Sequence, residues 1–294
     1  MKLEASSRGL AITALLALGC SDKPSGTVDD DHPSADASIP DGEDDGTDHG
    51  EGDGTVGDDG GEVAPHGGFL HARGHDIVDG NDQPIILRGF GLGEWLNIEA
   101  YFIDLPDEDV GTASKPSWSH THIRERLTEL AGQEATDEFY ARWLDNVITE
   151  EDVAQYAGWG VNSIRVSLNW HWLTSEKGTY LEAGFERVDK IIEWGAKYGV
   201  YMILVLHAAP GGQGNELMAD VSDGNPRLFT EPETYQPWAI ELWKNIAARY
   251  ADSEWVGGYD LLDEPLPPSE SNEDVRQLYE KMTEAIRAVD PNHM

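Results

Sequence analysis

Asp263, Glu264 and Pro265 follow the apolar run Gly258-Tyr259-Asp260-Leu261-Leu262, and two adjacent carboxylic acids at the end of such a run are a candidate for general acid–base work. Desolvation and like-charge repulsion both disfavour an ionised carboxyl, moving it toward the range in which it can hand over a proton near neutral pH. A turn acid ahead of Pro265 fits the same spacing equally well. His207, just past Ile203-Leu204-Val205-Leu206, is either a polar contact at a strand mouth or a satisfied buried histidine. Arg165 lies inside the run 161–167, where a buried guanidinium needs an anion, and Asp263 or Glu264 two strands away can supply one.

Strands must carry these residues, and the apolar pattern provides them. Phe69 to Arg73, Ile77 to Asp79 and Ile85 to Arg88 read as short strands, the last two joined by Gly80-Asn81-Asp82-Gln83 into a hairpin that leads to a buried strand. Residues 91–132 read as irregular. Glu134 to Val147 and Glu150 to Trp159 have helical patterns, the second with Thr149 as N-cap. Strand Val161 to Ser167, helix Leu181 to Tyr198 stopped by Gly199, and strand Val200 to Leu206 follow. The order repeats with helix Tyr235 to Tyr250, strand Val256 to Leu262 and helix Asn272 to Val289. Four strand–helix units of this kind predict an α/β fold with a parallel sheet and helical crossovers, either an open doubly wound sheet or a closed barrel. Gly89-Phe90-Gly91-Leu92-Gly93-Glu94 has only a fragment of a dinucleotide-binding loop, because Glu94 fills the place of the third glycine. In a barrel, reactive groups sit at the C-terminal strand ends, which is where Arg165, His207 and Asp263-Glu264 fall.

The 294 residues carry 56 Asp+Glu against 20 Lys+Arg, a formal charge of −36 that repels nucleic acids and polyanionic polysaccharides. Partners are therefore expected to be neutral or cationic. A single cysteine, Cys20, removes any disulfide framework and any cysteine-based zinc site, and no metal or cofactor is expected. Residues 21–65 hold 15 acids, one Lys, 9 Gly and no aromatic residue, so they are expected to form a disordered acidic linker ahead of a folded region at 66–294. Acid-x-Asp-Gly spacings in this tract, as in Glu43-Asp44-Asp45-Gly46 and Glu51-Gly52-Asp53-Gly54, stop short of a complete calcium loop. At the N-terminus, Lys2 and Arg8 precede the apolar run Gly9 to Leu18, and Leu15-Leu16-Ala17-Leu18-Gly19-Cys20 resembles a bacterial lipoprotein signal. That resemblance implies residues 1–20 as signal, lipidation of Cys20, and an exported protein held at the membrane or cell surface.

Taken in order, four segments resemble glycoside hydrolase family 5, the cellulase and exo-β-glucanase group. They are Leu87-Arg88-Gly89 with Leu92-Gly93-Glu94-Trp95-Leu96-Asn97-Ile98-Glu99; Ser163-Ile164-Arg165-Val166; His207-Ala208-Ala209-Pro210-Gly211-Gly212-Gln213; and Asp263-Glu264-Pro265. The resemblance implies a (β/α)8 barrel and a retaining hydrolase acting on a neutral β-linked glucan or glucoside. It further implies Glu264 as acid/base, Arg165 and His207 as strand-end site residues, and Glu99 as a sugar contact. Trp95 and Trp170, with Trp118 and Trp172, lie where aromatic faces can stack on sugar rings, whereas Trp143, Trp194 and Trp243 lie on helices and belong to the core.

Two departures accompany the resemblance. The family's nucleophilic carboxylate, at the seventh strand end, has no counterpart in four units, so the chain is expected to be the N-terminal half of a barrel, inactive in isolation. Asp263 replaces an Asn, and an ionised Asp only accepts hydrogen bonds. A non-catalytic glycan-binding barrel and an inactive fragment are the alternatives.

Overall fold

The computed structural model describes residues 67–100, 102–103, 118–215, 217–221 and 223–294. The expected signal, Cys20 and the acidic tract 21–65 lie outside the described residues.

Three strands open the described chain: β1 (His71–Arg73), β2 (Asp76–Val78) and β3 (Gly89–Leu92). β1 and β2 pair antiparallel across Gly74-His75. The hairpin expected from Ile77 to Arg88 closes only as the single bridge Val78–Pro84 and the bond from Ile85 N to Ile77 O. Pro84 has no N–H to extend the ladder, and the Asp79 carboxylate turns the loop by accepting from Asn81 N and Gln83 N. The strand expected at Ile85 to Arg88 accordingly forms later, at β3.

Helices α1 (His120–Ala131), α2 (Gln133–Asn146) and α3 (Glu150–Gly158) follow. α1 lies inside the segment read as irregular. Its sequence is mostly polar and buries only His120 and Ile123, so the Ser119 cap on His122 N is the main local signal. Thr149 caps α3 in a reciprocal box with Asp152, as its spacing predicts. Then come β4 (Ser163–Asn169), the short α4 (Trp170–Leu173), an unforeseen hairpin of β5 (Thr174–Glu176) and β6 (Thr179–Tyr180), α5 (Glu182–Tyr198) and β7 (Tyr201–Ala208). A 3₁₀ turn at Leu217–Ala219, α6 (Arg227–Thr230), α7 (Pro232–Tyr250), β8 (Val256–Asp260) and α8 (Asn272–Arg287) complete it.

β3, β4, β7 and β8 form one parallel sheet in that order. Gly89 sets the β3–β4 approach, since a Cβ there would stand 1.8 Å from Ser163 O. Alternation along the strands divides their labour. Ile164, Val166 and Leu168 of β4 and Met202, Leu204 and Leu206 of β7 pack in the main core with Phe185, Val188 and Ile191 of α5, Leu242, Trp243 and Ile246 of α7, and Leu278, Met282 and Ile286 of α8. Each large side chain buried this way stabilises the fold by about 1.5–3 kcal/mol. The other parity carries Arg165, Asn169 and His207, so the apolar packing that holds the helices also aims the polar groups together. Beside β8, Tyr259 N donates to Met294 O, so the segment after α8 returns along that strand.

Candidate functional site

Arg165 is the centre of the polar cluster on the inner face of the sheet. Its Nε donates to Asp260 Oδ2 at 2.8 Å and its Nη2 to Asp263 Oδ1 at 2.7 Å. Burial alone would weaken the guanidinium's hold on its proton, but the bonds to Asp263 and Asp260 outweigh it and raise the Arg165 pKa. Asp263 was foreseen as a partner; Asp260, inside β8, was not.

His207 extends the cluster toward β3. Its Nε2 lies 2.7 Å from Glu99 Oε1, and both residues are buried. Its Nδ1 stands 3.3 Å from Asp263 Oδ2, but off the hydrogen-bonding direction, and so has no aligned partner. The structure therefore brings Arg165 of β4, His207 of β7, Asp263 from beyond β8 and Glu99 from beyond β3 into one line.

Gln213 fixes the strand ends. Fully buried, it donates from Nε2 to His207 O at 2.7 Å and to Asp263 O at 2.9 Å, accepts from Ala209 N at Oε1, and receives Leu266 N on its carbonyl. Gly212, at φ +76°, makes the turn possible, because a Cβ there would collide with Val221 at 2.0 Å. A glutamine directly after two glycines was the available signal, and residue type alone did not single it out.

Glu264 leaves this line. Its backbone is left-handed (φ +38°), its side chain is exposed, and among the described residues its carboxylate has no hydrogen-bond partner. The adjacent acids thus part company: Asp263 turns inward to Arg165, whereas Glu264 is exposed to solvent.

Glu94 is a further site residue to which sequence reasoning gave no role, although it stands as a misfit in a glycine pattern and inside the first resembling segment. It too is left-handed (φ +62°), and its Oε1 accepts from Glu99 N at 2.9 Å while its carbonyl receives the Trp143 indole at 2.8 Å. Its Oε2 is buried without a partner. Burial first, and Glu99 second among the raising influences, push its pKa up to about 7 against the opposing Glu99 amide and His207.

The aromatic expectations divide. Trp95 is a correction: it is 2% exposed, packs in the main core and donates from its indole to Leu144 O at 3.0 Å, so it has no free face for a sugar. Trp170 is half-buried, stacked on His171 with ring centroids 3.7 Å apart and edged by Trp238 at 5.0 Å. Trp172 donates to Leu96 O and packs among Tyr140 and His120, a structural placement. Trp143 and Trp243 pack with the core as expected, and Trp194 lies partly buried against it.

A second polar network lies beside the first. Asp220, left-handed at φ +56°, accepts from Thr121 N, Thr121 Oγ1 and Asn169 Nδ2 at 2.7, 2.8 and 3.0 Å. Asn169 also donates to Asn97 Oδ1, and Asn97 to Met218 O. His120 Nδ1 accepts from Ile98 N at 3.1 Å, which requires that nitrogen to be unprotonated. His171 closes the rim, 3.5 Å from Asp220. Among the described residues, no cluster of His, Cys, Asp and Glu is arranged to hold a metal ion.

Comparison with known proteins places this geometry. Residues 123–294 match the family described as cellulase (glycosyl hydrolase family 5). The chain is 32% identical over 227 residues to a β-xylosidase of Phanerodontia chrysosporium, covering 76% of this chain and 45% of the relative. It is 25% identical over 214 residues to a probable glucan 1,3-beta-glucosidase A of Aspergillus clavatus, covering 72% and 49%. The chain thus spans about half the length of the curated relatives it matches. Among solved structures, the rutinosidase of Aspergillus niger superposes with a TM-score of 0.56 at 14% identity, covering 70% of this chain and 60% of that one. An endogalactoceramidase gives 0.52 at 16%, covering 77% and 51%. These two bear on the fold, and they agree with a barrel of which four units are described here.

Proposed function

The chain belongs to glycosyl hydrolase family 5, the cellulase family, and from that premise we propose that it forms part of a retaining hydrolase cleaving O-glycosidic bonds of a neutral β-linked glucan or glucoside. The observation that carries this reading is the divergence of Asp263 and Glu264 at the end of β8: one carboxylate is locked into the Arg165–His207–Glu99 line, and its neighbour stays free, exposed and aimed away.

Glu264 is the general acid that protonates the leaving glycosidic oxygen, and the base that afterwards takes a proton from the hydrolytic water. Arg165 holds Asp263 Oδ1 by a hydrogen bond and orients it, and a carboxylate there can accept but not donate toward a sugar hydroxyl. His207 and Glu99 present polar atoms to neighbouring hydroxyls, and Trp170 forms a wall of the cleft. The retaining reaction needs a second carboxylate roughly 5–5.5 Å from the acid. Asp263 and Glu99 are already engaged, so we assign that role to a strand end outside the four described. The β-glucosidase and β-xylosidase names of the relatives agree with a β-linked neutral substrate.

Changing Glu264 to Gln in the full-length protein should cut turnover of a poor-leaving-group glucoside by about 10²–10⁴-fold while an oligoglucoside still binds. Undiminished turnover would remove Glu264 from the role. A glycan-binding barrel without catalysis is the second reading, favoured by the capture of Asp263 by Arg165; it expects binding and no turnover in the parent itself.

The reading extends to location: Cys20 carries lipid and the acidic tract tethers the barrel to a membrane surface. The composition of residues 1–65 supports this. Cys20→Ser should move the protein to the soluble fraction, and a variant still sedimenting with membranes refutes it.

A further inference from the structure

The site holds more carboxylates than its cations can neutralise. Glu94, Glu99, Asp260 and Asp263 converge on one guanidinium, Arg165, and one imidazole, His207. Arg165 serves both aspartates, and His207 lies between Glu99 and Asp263. Trp143, reaching in from α2, adds an indole N–H that is directed to the Glu94 carbonyl rather than to its carboxyl.

Glu94 differs from the other three in one respect. Its Oε1 receives a single neutral amide, and its Oε2 faces the interior with no donor. An ionised carboxylate left bare in this way, beside the Glu99 carboxylate, is costly, and adding a proton to Oε2 lowers the cost without disturbing the amide bond. The backbone points the same way. A left-handed φ at a non-glycine residue is strained by about 1 kcal/mol or more, and this position holds a glutamate where glycine would relieve the strain.

We propose that Glu94 is a positioning residue that carries the proton of this cluster, holding Glu99 against His207 in the neutral form and disturbing that pair when it ionises. The proton resides on Oε2 while Oε1 keeps the Glu99 amide. The raised pKa of about 7, caused chiefly by burial, puts the change within the working range of an enzyme at neutral pH. Above it, a second anion beside Glu99 repels that carboxylate, competes with it for the field of His207 and loosens the sugar-facing end of the line. The catalytic consequence rests on the hydrolase reading; the protonation itself does not.

Two measurements on the full chain decide it. In carbon-13 spectra of side-chain carboxyls, one glutamate should titrate near pH 7 and vanish in Glu94→Gln; Glu94 titrating in the ordinary carboxylate range overturns the proposal whether or not the protein hydrolyses anything. In pH–rate profiles, turnover should fall as pH rises through about 7 in the parent, and Glu94→Gln should lack that ionisation because the amide keeps the acceptor and cannot ionise. Glu94→Gly, which relieves the left-handed strain and so is not expected to unfold, should lose the same ionisation together with the Glu99 amide bond, raising KM more than it lowers kcat. Active Glu94→Gln with the fall at pH 7 intact overturns the coupling. Absence of turnover in every form counts against the hydrolase reading, while the carboxyl titration still decides Glu94.

Discussion

Two polar networks lie side by side at the C-terminal end of the sheet, and they are built on opposite terms. The line through Arg165, Asp260, Asp263, His207, Glu99 and Glu94 carries surplus negative charge and leaves Glu94 Oε2 and His207 Nδ1 without partners. The network through Asp220, Thr121, Asn169, Asn97, His120 and His171 leaves no buried polar atom of its six side chains unpartnered, among the described residues. Both contain a left-handed acid, so strain alone does not tell them apart. Unmet hydrogen-bonding capacity does. A satisfied network ties loops to strands, whereas one with open valences is prepared to receive a substrate or a proton.

The comparison breaks most visibly at Asp220. Replacing it with Ala takes the acceptor from Thr121 N and Thr121 Oγ1 and leaves Asn169 Nδ2 with Asn97 alone, and should lower the unfolding free energy by about 2–4 kcal/mol in a urea titration. A loss below 1 kcal/mol would mean that the network is not a framework.

A smaller effect separates the networks by the sign of their pH dependence. Burial keeps His120 neutral, with a pKa lowered from 6.5 to about 4, so the unfolded chain binds its proton first. Stability from this residue is complete above about pH 6.5 and is lost as pH falls toward 4, on the order of 3 kcal/mol across the window. Glu94 runs the other way. Its folded pKa lies above the ordinary carboxyl value, so its contribution is full below about pH 4.5 and is lost as pH rises through about 7. Melting curves of His120→Gln against the parent should converge near pH 4 and separate above 6; parallel curves would contradict a neutral buried His120.

The smallest change is expected at Asp263. In Asp263→Asn, Arg165 keeps its bond to Asp260, so stability should move by less than about 1 kcal/mol and the basic limb of the rate profile should stay where it is. A limb displaced to lower pH would show that the Asp263 charge acts on the group whose ionisation sets that limb.

Much of this was legible in the chain. The strands carrying Arg165 and His207 are long apolar runs whose burial demands are met by one register, and Gly199 and Thr149 end and begin helices by local rules. α1 was not legible, because a polar helix stabilised by tertiary contacts has little amphipathic signal. Nor was the burial of Trp95: a tryptophan near a strand end reads the same whether its face meets a ligand or, as here, the carbonyl of Leu144 and the core.

The sequence by itself determined which residue types stand at the strand ends, since alternation along a strand and the lengths of the crossover helices depend on local spacing. Only the tertiary structure decided their partners. Arg165 meets Asp260 as well as Asp263, Glu94 shares its charge with Glu99 and His207, and Asp263 and Glu264 face apart although they are neighbours in the chain. The physical reason is that a side chain's ionisation and bonding depend on groups within a few ångströms in space, and sheet formation brings together residues separated by up to about a hundred positions along the chain.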